Sequence, residues 1–155
     1  MTDYESLVMR IAKQTGTAFR PAEPLDLAKL AELKLPASVI DFYRTFEPER
    51  YVEGPVRLWP IRELLRENTD YVPGCYTVLH GYIVFASTRG GDPYCFEVTQ
   101  SSNAEPRIVL FSHEMIEENT PAKEIGRLAK PVARNLYEFL QQFADNKVDQ
   151  KCRYS

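Results

Sequence analysis

Apolar positions open the chain at helical spacing. Tyr4, Leu7, Val8, Ile11 and Ala12 fall on one face of a helix. Thr2 and Glu5 have capping-box spacing at its start, where a hydroxyl and a carboxylate satisfy free backbone amides. Gly16 is the expected stop. "FRPAEP" reads as a loop. Leu27, Leu30 and Leu33 then predict a short helix in "LDLAKLAELKL", which Pro36 prevents from running on. A third helix is expected in "PASVIDFYRTF", with Pro36 in its first turn and Val39, Ile40, Tyr43 and Phe46 on one face.

The period then shortens to that of strands. "PVRLW" sets Val56 and Leu58 against Arg57 and Trp59, and Pro60 opens a short helical stretch, "IRELLREN". "CYTVLHGYIVFAS" is rich in β-branched and aromatic residues. With Gly81 inside it, the run predicts either two strands or one bulged strand. In "YCFEV", Tyr94, Phe96 and Val98 face one way, Cys95 and Glu97 the other. "RIVLF" is continuously apolar, as expected of a strand covered on both faces. "HEMIEENTPAKEIGR" is a charged connection with room for a helical turn. "KPVARNLYEFLQQF" carries Val132, Leu136, Phe139, Leu140 and Phe143 at helical spacing and predicts a closing element. "DNKVDQKCRYS" has no period.

Helices, then strands joined by short turns, then a last helix make an α+β fold. Its expected form is a mainly antiparallel twisted sheet packed with N-terminal helices and a C-terminal helix. One domain is expected over residues 1–146, with 147–155 as a frayed tail.

Composition narrows the function. With 19 Lys and Arg against 22 Asp and Glu, the net charge is -3 over 155 residues. A nucleic-acid-binding surface usually shows a basic excess, so no nucleic-acid partner is expected. No apolar run approaches the ~18 residues that would suggest a membrane span. "MTDYESLVMR" is acidic where a signal peptide would be basic. Three cysteines, Cys75, Cys95 and Cys152, leave one unpaired under any bridging and form no CxxC, so a reducing cytoplasm is the expected setting.

The most unusual stretch is "ASTRGGDPYCFEV". A loop that cradles phosphate feeds a helix whose N-terminal amides meet the ligand, whereas this one feeds a strand pattern. A metal-bound nucleotide needs converging carboxylates, and "CYTVLHGYIVFA" before the loop has none. Gly90 and Gly91 instead predict a hairpin turn by supplying positive φ, with Asp92 accepting backbone amides inside it.

His80, His113, Cys75 and Cys95 are the candidates for nucleophile, base or soft metal ligand. Their spacing does not suit tetrahedral zinc, and no orienting third group accompanies a Cys–His pair. His80, in an apolar strand run, reads as a partly buried structural residue, and Cys95 as a small hydrophobe. Glu117 and Glu118 are adjacent, so on a helix they would diverge. No catalytic, cofactor or metal site is expected.

Several stretches together carry a resemblance. "GGDPYCFEV" is similar to the Gly-Gly-Asp, aromatic, acidic hairpin of the SUKH superfamily of bacterial toxin-immunity proteins and fungal regulators of cell-wall glucan synthesis. "LPASVIDFYRTF" resembles the family's Leu-Pro helix, and "LWPIRELLREN" its strand leading to a short helix that ends at Asn68. "RIVLF" and "VARNLYEFLQQF" resemble the next strand and the closing helix, in the family's order. "EPERYVEG" departs from the pattern, standing where family members often have Asn-Gly.

The resemblance implies a non-enzymatic protein-binding domain, an immunity protein that occludes the active surface of a cognate toxin. The alternatives are a regulatory or scaffold module linked to glucan synthesis and a small-ligand or hydrolytic enzyme using His80 or Asp92. By motif, the expected contact residues are Trp59, Glu63, Asn68, Tyr71, Arg89, Asp92 and Tyr94. Glu47, Glu49 and Glu53 join them as an acidic loop for a basic partner. Trp59 beside Pro60 also suits core packing at the strand–helix junction.

Overall fold

A single apolar stripe fixes the first helix. In the computed structural model, which describes residues 4–98 and 105–153, α1 spans Tyr4–Thr15 and buries Leu7, Val8 and Ile11. The expected cap residue Thr2 lies outside the described residues. The Gly16 amide donates to Ala12 O at 2.8 Å, closing the helix where expected. A short strand, β1 (Phe19–Arg20), begins the stretch expected to be wholly loop. α2 (Pro24–Ala31) and α3 (Ala37–Thr45) follow, with Pro36 immediately before α3. α3 buries Phe42 as well as Val39 and Tyr43. β2 (Glu47–Pro48) pairs antiparallel with β1.

The remaining described elements are β3 (Val52–Glu53), β4 (Arg57–Leu58), α4 (Ile61–Thr69), α5 (Gly74–Thr77), β5 (Tyr82–Ser87), β6 (Pro93–Glu97), β7 (Ile108–Leu110), α6 (Ala122–Leu128), β8 (Lys130–Ala133) and α7 (Leu136–Ala144). Strands β3 to β8 form a six-stranded sheet in chain order, every neighbouring pair antiparallel. The α+β expectation holds.

Strand alternation then builds two cores. Ile83, Phe85, Tyr94, Phe96, Ile108 and Leu110 pack on one face with Leu7, Ile11, Phe42, Phe139 and Phe143. Tyr82, Val84, Cys95, Val109 and Phe111 face the other way, against Trp59, Ile116, Ile125 and Leu128. "RIVLF" is continuously apolar because both faces are covered. A register shift between Val84 and Ala86 turns consecutive Phe85 and Ala86 to the same core.

Two segments differ from the sequence expectation. "CYTVLH" is not strand: it forms α5 and a 3-10 turn, Val78–His80, that ends at Gly81 in the left-handed region (φ 84°). Gly74 and Thr77 are buried and Val78 packs on the main core, so the inward positions follow a helical interval while Leu79 is exposed. "KPVARNLYEFLQQF" is two elements. Val132 belongs to β8, and Asn135 caps α7 by accepting the Glu138 amide at 2.8 Å. The stretch 147–153, expected to fray, has no helix or strand but is fastened. Val148 is buried, Asp149 O accepts the Tyr94 hydroxyl at 2.7 Å, and Lys130 pairs with Asp149 at 2.9 Å.

Candidate protein-binding face

The glycine pair makes a hairpin turn between β5 and β6. Thr88 N–H donates to Asp92 O at 2.9 Å, Gly91 N–H to Thr88 O at 3.1 Å, and Asp92 N–H to Thr88 Oγ1 at 3.0 Å. Of the two glycines only Gly91 has positive φ, at 99°; Gly90, expected to share that role, does not. Asp92 serves a different purpose from the expected one. Its Oδ1 accepts the His113 amide at 3.0 Å and lies 2.7 Å from His113 Nδ1, so it ties the turn to the segment after β7. Burial raises its pKa, but the His113 amide and ring and the Cys152 thiol outweigh that and leave it below the ordinary value.

Burial withdraws four of the expected contact residues from the surface: Trp59, Asn68, Tyr94 and Glu47. Trp59 packs in the second core, as the strand–helix junction suggested. Tyr94 is fully buried between Phe139 and the Asp149 carbonyl. The Asn68 amide donates to Leu64 O and Val84 O, each at 2.8 Å, and accepts the Val84 amide at 2.9 Å. It therefore supplies the hydrogen bonds a neighbouring strand would give β5 beyond the end of β4. Glu47 Oε2 accepts the Ile61 amide at 2.8 Å and so meets the first turn of α4. Burial raises the Glu47 pKa, against the pull of the Ile61 amide and Arg20.

The exposed candidates are joined into one run by residues that sequence reasoning missed. Arg89 donates to Gly54 O at 2.7 Å, next to Glu53, and Glu53 pairs with Arg57 at 2.8 Å. The Arg57 guanidinium lies 5.8 Å from the Tyr51 ring centre. Tyr51 in turn donates to Glu63 at 3.1 Å. Arg66 reaches Glu63 at 3.5 Å and Tyr71 at 3.0 Å. Tyr51 and Tyr71 are 41% and 44% exposed, so the run shows two half-open aromatics between opposite charges. Glu49 stands beside it, exposed. The i, i+3 spacing of Glu63 and Arg66 was the one signal in the sequence for this bracing.

Of the reactive residues, Cys152 and His113 share Asp92 as a partner, whereas the Cys95 thiol meets Thr77. Cys95 is fully buried, which drives its thiol pKa far up. Burial and then the Asp92 charge push the Cys152 thiol up to about 12. It meets the Asp92 carboxylate, which also engages the His113 ring. His80 is partly buried at the end of the 3-10 turn. Among the described residues no three His, Cys, Asp or Glu gather as a metal site, and no helix is long and apolar enough to cross a membrane.

These elements define an α+β domain in which an antiparallel meander carries helices on both faces. Residues 21–142 match the SMI1/KNR4 family (SUKH-1), and the chain belongs to that family. The resemblance seen in the ordered motifs is thereby confirmed. Comparison with curated proteins gave no match. The family supports a domain of toxin immunity or of glucan-synthesis regulation.

Proposed function

We propose that the protein is a non-enzymatic immunity domain that neutralises a toxin in the cytoplasm by covering its active surface. The observation that carries this reading is the exposed run from Arg89 through Glu53, Arg57, Tyr51, Glu63 and Arg66 to Tyr71. Its long side chains are already held by hydrogen bonds and ion pairs. Side chains fixed before binding lose less rotamer entropy on docking, and half-exposed tyrosines flanked by arginine supply the residue types that dominate binding energy. Occlusion needs about 800 Å² of complementary surface per partner and no catalytic group. The non-enzymatic part is supported by a Cys152 thiol held protonated at neutral pH and directed to Asp92 rather than to a histidine base.

Co-expression with the toxin encoded beside its gene tests the proposal. Growth should be restored by the wild-type chain, and the two proteins should purify together. Absence of protection against any neighbouring toxin would contradict immunity and favour the regulatory branch of the family.

A further inference from the structure

Beside the exposed run, α2, β2 and the start of α4 enclose an open cleft of about 940 Å³. Its walls hold five carboxylates to three guanidiniums. Two of the guanidiniums are already committed. Arg62 pairs with the buried Asp26 at 3.2 Å, and Arg50 donates to Gly16 O at 2.9 Å. Arg20 lies nearest Glu47, with Nε 4.0 Å from Oε1. On the acidic side, Glu23 and Glu49 have no ion-pair partner among the described residues.

Glu47 is the decisive residue. It is only 2% exposed, yet it lines the cleft. One oxygen holds the Ile61 amide, and the other, Oε1, makes no hydrogen bond. A buried carboxylate oxygen without a protein donor is costly, and in native structures such an atom is met by ordered water, an ion or a ligand donor. Arg20 at 4.0 Å is beyond hydrogen-bond reach, and its side chain is half-exposed. It stands beside the acceptor without satisfying it.

We infer that this cleft receives an arginine side chain of the protein partner, whose guanidinium donates to Glu47 Oε1 in place of Arg20. Glu49 and Glu23 flank the incoming charge at the rim, and Arg20 turns out to solvent. Arginine fits better than lysine because its guanidinium is more weakly hydrated and offers five donors to several acceptors. This rests on the protein-binding reading and specifies the chemistry of one contact.

The probe is acetyl-Gly-Arg-Gly-amide, titrated into the ¹⁵N-labelled full chain and followed by NMR. Saturable shifts should centre on the Ile61 amide and Arg20 Nε–H. The matching citrulline peptide, which lacks the charge, should leave both in place. Glu49→Gln, at the rim and outside the fold's own hydrogen bonds, should weaken binding of the arginine peptide. Arg20→Ala is the sharper variant: removing the internal competitor should tighten binding roughly threefold or more. A structural role for Arg20 would not produce that gain. Unchanged or weaker binding by Arg20→Ala, equal binding of citrulline, or shifts located elsewhere would each overturn the assignment. Protection by co-expression without peptide shifts would remove the cleft and leave the immunity reading. Peptide shifts without protection would do the reverse.

Discussion

At Asn68 one side chain satisfies three backbone groups: Leu64 O, Val84 O and the Val84 amide. Asn68→Leu keeps the branched shape of the side chain and removes every one of these bonds. It should destabilise the fold by roughly 2–4 kcal/mol, since each orphaned buried group costs about 1–3 kcal/mol. Urea unfolding at constant m-value measures this, and a loss below about 1 kcal/mol would contradict the pinning role. The hairpin glycines give a paired contrast. Gly91→Val forces a branched side chain to φ 99° and should cost about 1–3 kcal/mol. Gly90→Ala should be nearly neutral, because its φ is not positive and an added Cβ would meet nothing closer than Thr88 Oγ1 at 3.9 Å. Asp92 makes a pH prediction. Its folded pKa is depressed, so its contribution to stability is present above the unfolded value, near 4. That contribution is lost as pH falls through the lower folded value. Asp92→Asn should therefore lose less stability than wild type on acidification from about pH 6 to pH 3. Equal losses would contradict the tie to His113.

The elements show which signals the sequence carried. α1, α3 and α4 were legible because each has an apolar stripe and a glycine or proline at a boundary. β6 and β7 were legible from alternation and from continuous burial. The stretch before β5 misled because its β-branched and aromatic residues suit strands, whereas its inward positions, Gly74, Thr77 and Val78, follow a helical interval. Tertiary packing there outweighed propensity. α7 was legible as a helix, but its start was not. The signal was present in "NLYE", where Asn135 accepts the Glu138 amide and Glu138 in return accepts the Arg134 amide at 3.0 Å. Asn135→Ala should cost about 1 kcal/mol in thermal or urea unfolding, with no change in α7 packing. The proposed binding face was half legible. Motif order named Glu63, Tyr71 and Arg89, which reach the surface, and also Trp59, Asn68 and Tyr94, which pack inward. A motif residue can serve the fold or the surface, and only burial tells which.

Across the molecule, the sheet buries both faces, so the proposed binding surface lies on helix flanks and strand connections. The acidic connection illustrates the division of labour. Glu47 holds the start of α4, while Glu49 and Glu53 remain at the surface. Changing Glu49 and Glu53 together to Gln should slow association with a basic toxin at low salt and flatten the salt dependence, without altering stability. Including Glu47 would confuse binding with folding. The most direct test is titration of the purified neighbouring toxin with the wild-type chain, a Tyr51→Ala/Tyr71→Ala double variant, and Lys123→Ala on α6 as control. The account predicts a one-to-one complex, weakened roughly tenfold or more by the tyrosine variant and unchanged by the control. Full-strength binding by a folded tyrosine variant would contradict it.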